Sequence, residues 1–221
     1  MFSPLKIVVV DDHQLILDGI MSSLKEKGNY EVVSSTNCDD AFAKIKEGSF
    51  DILFTDLSFD NSSFSTKIES GEHLIKAIQK EKIAIKIAVI TGHTETNRLY
   101  NVIHNLKPSA YLLKNKCDAT ELNFAIKKIM NNDVYYSHEV HQKLIKRACV
   151  EIQMDEVAIQ ILKELPKQSK ISNLVGVIHK ADGSPIKLRS IEAKLANLRI
   201  DLNAVNNTDL ILKAKELGII D

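Results

Sequence analysis

Residues 51–56 have the sequence Asp-Ile-Leu-Phe-Thr-Asp, a short apolar run that ends on a carboxylate. A run of this length between polar residues predicts a buried strand. Three other apolar runs also end on polar side chains: residues 6–10 before Asp11 and Asp12, residues 86–90 before Thr91, and residues 110–113 before Lys114. The carboxyl ends of parallel strands meet at one edge of an open sheet, which is where such sheets bind ligands. The sequence therefore predicts a crevice that brings together three carboxylates, a hydroxyl and an ammonium group.

Strands and helices are predicted to alternate five times over residues 5–131. The strands are expected near residues 6–10, 31–35, 51–55, 86–90 and 110–113, with helices near 13–27, 38–47, 71–81, 95–105 and 118–131. This alternation requires parallel strands joined by right-handed crossovers. It predicts a flavodoxin-like, doubly wound, five-stranded parallel sheet of the α/β class. No GxGxxG motif follows the first strand, which argues against a dinucleotide-binding fold.

The composition narrows the classes of partner. The 221 residues include 29 Lys plus Arg and 29 Asp plus Glu, so the formal net charge is zero and exerts no global attraction for nucleic acid or anionic membrane. No apolar run is long enough to span a bilayer, and no signal peptide is evident. Cys38, Cys117 and Cys149 are odd in number and widely spaced, which is typical of reduced thiols. We therefore expect a cytoplasmic protein without a membrane partner.

The predicted crevice suits phosphoryl chemistry on a divalent cation. Clustered carboxylates repel one another, and Mg²⁺ relieves that repulsion through a small number of carboxylate ligands plus phosphate and water. One aspartate could act as a nucleophile and form an aspartyl-phosphate. A lysine could neutralise phosphoryl oxygens, and a threonine hydroxyl could donate a hydrogen bond to one of them. Each residue type alone is usually structural, so the prediction depends on their joint placement.

Residues 5–131 resemble the receiver domain of bacterial two-component response regulators. The resemblance rests on Val-Val-Val-Asp11-Asp12-His-Gln, Ile-Leu-Phe-Thr-Asp56-Leu, Ala-Val-Ile-Thr91-Gly and Ala-Tyr111-Leu-Leu-Lys114. It implies that Asp56 accepts a phosphoryl group from a histidine kinase. It further implies that Asp12, Asp56 and the backbone carbonyl of Ser58 bind Mg²⁺, with Asp11 acting mostly through water. Thr91 and Tyr111 match the family's switch pair, and Lys114 matches its phosphate-contacting lysine.

One connection departs from that family. Residues 58–70 form a long, hydroxyl-rich loop with no proline, and the glycine that opens the next helix comes late, at Gly71. Loops of this kind usually have about 2–6 residues, and longer ones are often functional. We expect this loop to be mobile without phosphate and to modulate the lifetime of the phosphorylated state.

The remaining chain is predicted to be helical. We place the receiver at residues 1–137, a linker helix at 138–152 and a small all-α output domain at 153–221, with helices near 155–165, 171–180, 186–200 and 208–217. The last part resembles, with a degraded turn, the helix-turn-helix of NarL/LuxR-type response regulators. That resemblance implies a recognition helix starting near Ser190-Ile191. Lys187, Arg189 and Lys194 are the candidate DNA-binding residues, because side chains at the start of such a helix enter the major groove.

Three functions compete. The leading hypothesis is a homodimeric regulator, not an enzyme, that is phosphorylated on Asp56 and binds promoter DNA. Residues 151–221 contain ten basic and ten acidic residues, a net charge of 10 − 10 = 0, and DNA affinity depends on phosphate neutralisation. A receiver-controlled, protein-binding output is therefore the alternative. A Mg²⁺-dependent phosphohydrolase is disfavoured, because residues 11–14 lack the DxDxT spacing of such enzymes.

Overall fold

The computed structural model describes residues 3–60 and 66–220, apart from the side chains at positions 27, 152 and 153. The chain divides into two compact units. The first comprises Met1–Thr94 and Asn101–Val140, and the second comprises Glu95–Tyr100 and His141–Asp221.

A parallel sheet forms the centre of the first unit. Its strands are β1 (Leu5–Val10), β2 (Tyr30–Ser35), β3 (Ile52–Thr55), β4 (Lys86–Thr91), β5 (Ala110–Leu113) and β6 (Tyr135–Tyr136). Their order across the sheet is β2-β1-β3-β4-β5-β6, and every neighbouring pair is parallel. The predicted doubly wound parallel fold is confirmed. The sheet has six strands and not the five predicted, because β6 has only two residues and is too short to show a periodic pattern.

Apolar strands explain why this sheet lies at the centre. All residues of β3 and β5 are buried, as are the last four of β1, so these strands contact other elements on both faces. The helices in the receiver part of the sequence are α1 (Gln14–Lys27), α2 (Cys38–Glu47), α3 (Gly71–Lys80), α4 (Thr96–Leu106) and α5 (Ala119–Met130). Side chains of Asn37, Ser70 and Asp118 cap the starts of α2, α3 and α5. The carboxyl ends of the strands are therefore held at fixed positions.

The second unit has its own apolar core. Helix α6 (His138–Gln153) covers the predicted linker, and α7 (Glu156–Glu164), α8 (Leu188–Asp201) and α9 (Asn207–Glu216) follow. Buried residues of this core include Ile161, Leu162, Ile191, Leu195 and Leu210. The predicted C-terminal helical unit is confirmed.

The helix predicted over residues 171–180 is wrong. Only a 3-10 turn forms there, at Ile171–Leu174, and Gly176 then adopts a φ of +85°, which ends the helical path. The chain continues as a small hairpin in which His179 bridges Pro185 and the Ile186 N–H donates to the Ile178 carbonyl at 3.2 Å. Ile178 and Ile186 are both buried, so the hairpin contributes one apolar side chain from each arm to the core. The next helix, α8, consequently begins at Leu188 and not at residue 186.

Among the residues that the structure describes, no helix combines the length and the apolar character needed to cross a bilayer.

Candidate functional site

Two strand ends carry buried carboxylates into one crevice. The Asp11 N–H donates to the Ser35 carbonyl at 3.2 Å, and the Asp56 N–H donates to the Val10 carbonyl at 3.0 Å. These bonds extend the sheet by one residue, so both aspartates are fixed through their backbones. Asp11 is 2% exposed and Asp56 is 6% exposed. Burial of two like charges requires a compensating cation.

Lys114 supplies that cation. Its Nζ lies 2.6 Å from Asp11 Oδ2 and 2.7 Å from Asp56 Oδ2, and only 16% of its side chain is exposed. Burial lowers the pKa of Lys114, but hydrogen bonds to Asp11 and Asp56 and the attraction of their charges outweigh it, so the pKa is raised. The lysine therefore remains an ammonium group that joins the ends of β1, β3 and β5.

Asp12 and His13 complete the acidic side of the crevice. His13 Nδ1 lies 2.7 Å from Asp12 Oδ1 and 3.4 Å from Asp11 Oδ1, and the His13 N–H donates to Asp11 Oδ1 at 3.0 Å. One ligand atom from each of Asp11, Asp12 and His13 lies within 4.8 Å of the others. Carboxylate oxygens are the hard ligands that Mg²⁺ prefers, so Asp11 and Asp12 fit this cation. Asp56 is not in this group of three, and its Oδ2 contacts Lys114.

The two residues expected to switch are both buried. Thr91 and Tyr111 are each 0% exposed. The Thr91 hydroxyl oxygen accepts a hydrogen bond from the His93 N–H at 3.3 Å. The His93 ring continues across the crevice, with Nε2 at 2.7 Å from Ser58 Oγ. The segment after β4 is thus joined to the loop that follows Asp56.

Gly71 explains how a late glycine still serves this site. Its N–H donates to the Leu57 carbonyl at 3.1 Å. A Cβ at this position would lie 1.7 Å from the Asp56 carbonyl oxygen, so only glycine lets the start of α3 approach the backbone beside the carboxylate. The long loop therefore returns to the same point of the sheet as a short one would.

A family model described as "Response regulator receiver domain" matches residues 7–127, which is more than half of the chain. The chain belongs to the response regulator family. Among curated proteins, this response regulator is 24% identical to the response regulator protein VraR of Staphylococcus saprophyticus over 222 residues, covering 98% of this chain and 99% of that protein. It is 23% identical to VraR of Staphylococcus aureus over 221 residues, with the same coverage of both chains.

Solved structures give the same fold for the whole response regulator. RcsB of Salmonella typhimurium superposes with a TM-score of 0.65 at 19% identity, covering 96% of this chain and 98% of that one. A structure described as two RcsB dimers bound to two parallel DNAs gives a TM-score of 0.64, also at 19% identity and with the same coverage. At 19% sequence identity, the similarity to these RcsB structures shows a shared fold only.

Several residues that contact the crevice of this response regulator carry no pattern that identifies them in the sequence. His13 directly follows Asp12, and His93 lies two residues after Thr91. Proximity to these predicted site residues is the only feature of the sequence that points to the two histidines. Asp60 lies in the loop after Asp56 and contacts Asp12, while Asp39 contacts the far end of that loop. Both contacts depend on the path of the loop, which the sequence does not specify. Residues 61–65 lie outside the described residues, so the expectation of a mobile loop stays a prediction.

The three candidate DNA-binding residues of this response regulator have different surroundings. Lys187 is exposed at the N-cap of α8, and Arg189 is exposed in its first turn. Lys194 instead forms an ion pair with Asp155, the residue whose side chain caps α7. Lys187 and Arg189 therefore lie together at the leading end of α8, while Lys194 is engaged within the unit.

Proposed function

We propose that this response regulator is phosphorylated on Asp56 by a histidine kinase and controls transcription through its C-terminal unit. The observation that carries the first part is the position of Lys114 Nζ, 2.6 Å from Asp11 and 2.7 Å from Asp56 at the buried strand ends. Charged groups converge in this way more often at functional sites than elsewhere. The three cysteines form no disulfides, which supports a reducing, cytoplasmic setting.

The chemistry assigns a role to each residue. A carboxylate oxygen of Asp56 attacks the phosphorus of the donor, an O–P bond forms, the P–N bond to the kinase histidine breaks, and its electron pair stays on the imidazole. Asp12, Asp56 and the Ser58 carbonyl would hold Mg²⁺, with Asp11 acting through water. Bound Mg²⁺ offsets the negative charge of the carboxylates and of the phosphoryl group. Lys114 then contacts a phosphoryl oxygen, and the Thr91 hydroxyl donates a hydrogen bond to another while Tyr111 repacks beside it.

Phosphorylation of the full chain tests this proposal. A small phosphodonor with Mg²⁺ is expected to add one phosphoryl group, measured as the mass increase of the intact protein. Asp56→Asn keeps the size of the side chain and removes the nucleophilic oxyanion, so it is expected to abolish the increase. Stoichiometric labelling of the Asp56→Asn variant would show that the phosphoacceptor is a different residue.

DNA binding is the proposed output. Lys187 and Arg189 at the start of α8 support it, as does the fold shared with RcsB, whose structure includes DNA. We propose that Lys187 and Arg189 face the duplex of promoter DNA and that Lys194 flanks them. The RcsB structure also contains dimers, which supports a homodimer here. Phosphorylation would raise DNA affinity only as far as it favours the state that dimerises.

One observation favours the alternative, a protein-binding output. Val175, Val177 and Leu188 are 45%, 41% and 37% exposed, and they flank the hairpin that leads into α8. Exposed apolar side chains are typical of protein interfaces where they are contiguous. The zero net charge of residues 151–221 points the same way.

A salt titration of DNA binding separates the two outputs. The phosphorylated wild type and the variants Lys187→Ala, Arg189→Ala and Lys194→Ala are each measured against fragmented genomic DNA. Loss of a phosphate-contacting lysine is expected to lower the salt slope by about one, and loss of a base-contacting arginine to cost about 1–3 kcal/mol at its preferred base. If no fragment binds at low salt, or if none of the three substitutions affects binding, the alternative of a protein-binding output is favoured.

A further inference from the structure

The loop after Asp56 is attached to carboxylates at both of its described ends. The Asp60 N–H donates to Asp12 Oδ2 at 2.7 Å. At the other end, the Lys67 and Ile68 N–H groups donate to Asp39, at 2.8 Å to Oδ2 and 3.2 Å to Oδ1. A surface loop of this length could satisfy these amides with water. The described ends of the loop are instead hydrogen-bonded to the carboxylates of Asp12 and Asp39.

Asp39 is a fixed point for the far end of the loop. It lies in the first turn of α2, whose start is capped by the Asn37 side chain accepting from the Asp40 N–H at 2.8 Å. Its two carboxylate oxygens each bind one loop amide. The backbone of the loop is therefore held in place at residues 67 and 68, before the chain reaches Gly71.

Asp12 is the fixed point for the near end, and it belongs to the candidate metal site. Oδ1 of Asp12 contacts His13 Nδ1 at 2.7 Å, and Oδ2 accepts from Asp60 at 2.7 Å. Its side chain is 15% exposed, so little space remains for other orientations. Hydrogen bonds to a ligating carboxylate fix its direction, and loss of such a partner typically lowers metal affinity by about 10–100-fold.

We propose that the backbone N–H of Asp60 positions the Asp12 carboxylate for a divalent cation, which makes the extended loop part of the metal site. This inference rests on the proposed function, because it assigns the Asp12 carboxylate to Mg²⁺. The group that acts is a backbone amide, and this explains why the residue types of the loop carry no recognisable metal-binding pattern. Residue 60 contacts Asp12 at the start of the loop, and residues 67 and 68 contact Asp39 near its end.

Proline at position 60 removes the amide proton and tests the proposal. Mg²⁺ alone is titrated into the full chain by calorimetry, without phosphodonor. Asp60→Pro is expected to raise the dissociation constant for Mg²⁺ about 10–100-fold. An unchanged or lower dissociation constant would overturn the inference.

Two matched variants isolate the amide. Asp60→Asn keeps the N–H and removes the side-chain charge, and we expect it to weaken Mg²⁺ binding much less than Asp60→Pro. Equal losses in both would assign the effect to the side chain and contradict the proposal. Thr66→Pro places a proline at the other described end of the loop and is expected to leave the dissociation constant unchanged. A loss as large as that of Asp60→Pro would show that stiffening of the loop, and not the amide, is responsible.

Asp12→Ala separates this inference from the proposed function. If Asp12→Ala weakens Mg²⁺ binding and Asp60→Pro does not, only the role of Asp60 is wrong. If Asp12→Ala binds Mg²⁺ as tightly as the wild type, the proposed metal site itself is wrong, and the inference fails with it. Thermal unfolding midpoints of all variants establish that each is folded at the temperature of the titration.

Discussion

The buried charge cluster of the first unit contrasts with the surface ion pairs of the second. In the first unit, one lysine that is 16% exposed contacts two buried carboxylates. In the second, surface pairs such as Lys167 with Glu164 and Lys213 with Asp209 are formed between residues three or four positions apart in the sequence. Exposed pairs of this kind contribute little to stability, about 0–1 kcal/mol each, whereas removal of one member of a buried pair has a large cost. The buried cluster of the first unit therefore depends on each of its members far more than these surface pairs of the second unit do.

The largest effect is expected at the buried pair. Lys114→Met leaves Asp11 and Asp56 without their cation, and the free energy of unfolding is expected to fall by about 3–5 kcal/mol. Mg²⁺ is expected to restore part of that loss, because it supplies the missing positive charge. Urea unfolding with and without Mg²⁺ measures both changes.

Lys116→Met is the matched control. Lys116 is two residues away and pairs with Glu139 at 2.8 Å, but its side chain is 63% exposed. We expect a change within about 1 kcal/mol, insensitive to Mg²⁺. Similar losses in the two variants would contradict the contrast between buried and exposed pairs.

The stabilisation by Lys114 depends on pH. Because the pKa of Lys114 is raised in the folded state, its contribution to the free energy of unfolding is fully present below its unfolded pKa. That contribution is lost as the pH rises through its folded pKa, in the alkaline range.

A smaller effect is expected from the glycine beside Asp56. Gly71→Ala places a Cβ 1.7 Å from the Asp56 carbonyl oxygen, so the start of α3 and the end of β3 must separate. We expect a loss of about 1–3 kcal/mol and slower phosphorylation of Asp56. Thermal unfolding and intact-mass kinetics measure the two effects.

Gly19→Ala provides the comparison within α1. A Cβ at Gly19 would meet nothing within 4 Å. Alanine is a better helix former than glycine, so this variant is expected to gain about 0.5–1 kcal/mol. If Gly71→Ala also gained stability, the close approach of α3 to Asp56 would not constrain the site.

The smallest effect is expected in the second unit. The Asp155 side chain accepts from the Ala158 N–H at 2.8 Å and pairs with Lys194. Asp155→Ala removes this cap and is expected to cost about 1 kcal/mol. The hydrogen bond from Lys194, joined by that from Ala158, lowers the pKa of Asp155 despite partial burial. The contribution is therefore present above the unfolded pKa and is lost as the pH falls through the folded pKa.

Unfolding of wild type and Asp155→Ala across acidic pH measures this difference. The two curves are expected to converge as the pH falls below the folded pKa. Glu156→Gln alters the neighbouring exposed carboxylate and is expected to follow the wild type. A pH-independent gap between wild type and Asp155→Ala would mean that the charge of the cap contributes nothing.

The contrast between the units also explains what the sequence could predict. Alternating strands and helices identify a parallel sheet, and the topology of such a sheet brings Asp11, Asp56 and Lys114 to one edge. Strand β6 has only two residues, which is too short to show a periodic pattern. The hairpin around Ile178 and Ile186 was missed for the same reason, because its two buried side chains lie on short extended segments.

Contacts between residues that are far apart in the sequence could not be predicted from the sequence either. The Asp60 amide reaches Asp12 only because of the route of the loop, and an amide is present at every residue except proline. The ring of His93 reaches Ser58 across a separation of 35 residues. Lys194 was predicted from its position on α8, where its pairing with Asp155 on another helix was not apparent from the sequence. Its role at DNA stays a prediction.

Two backbone amides on or directly after β6 are hydrogen-bonded to the strand that leads to the phosphorylation site. The Tyr135 N–H donates to the Ser109 carbonyl at 2.9 Å, and the Ser137 N–H donates to the Tyr111 carbonyl at 3.0 Å. Both acceptors are on or directly before β5, the strand that carries Tyr111 and leads to Lys114. Amide exchange at Tyr135 and Ser137 therefore measures the local opening of this edge of the sheet. A change in β5 upon phosphorylation would appear as altered exchange at residues that never contact the phosphoryl group.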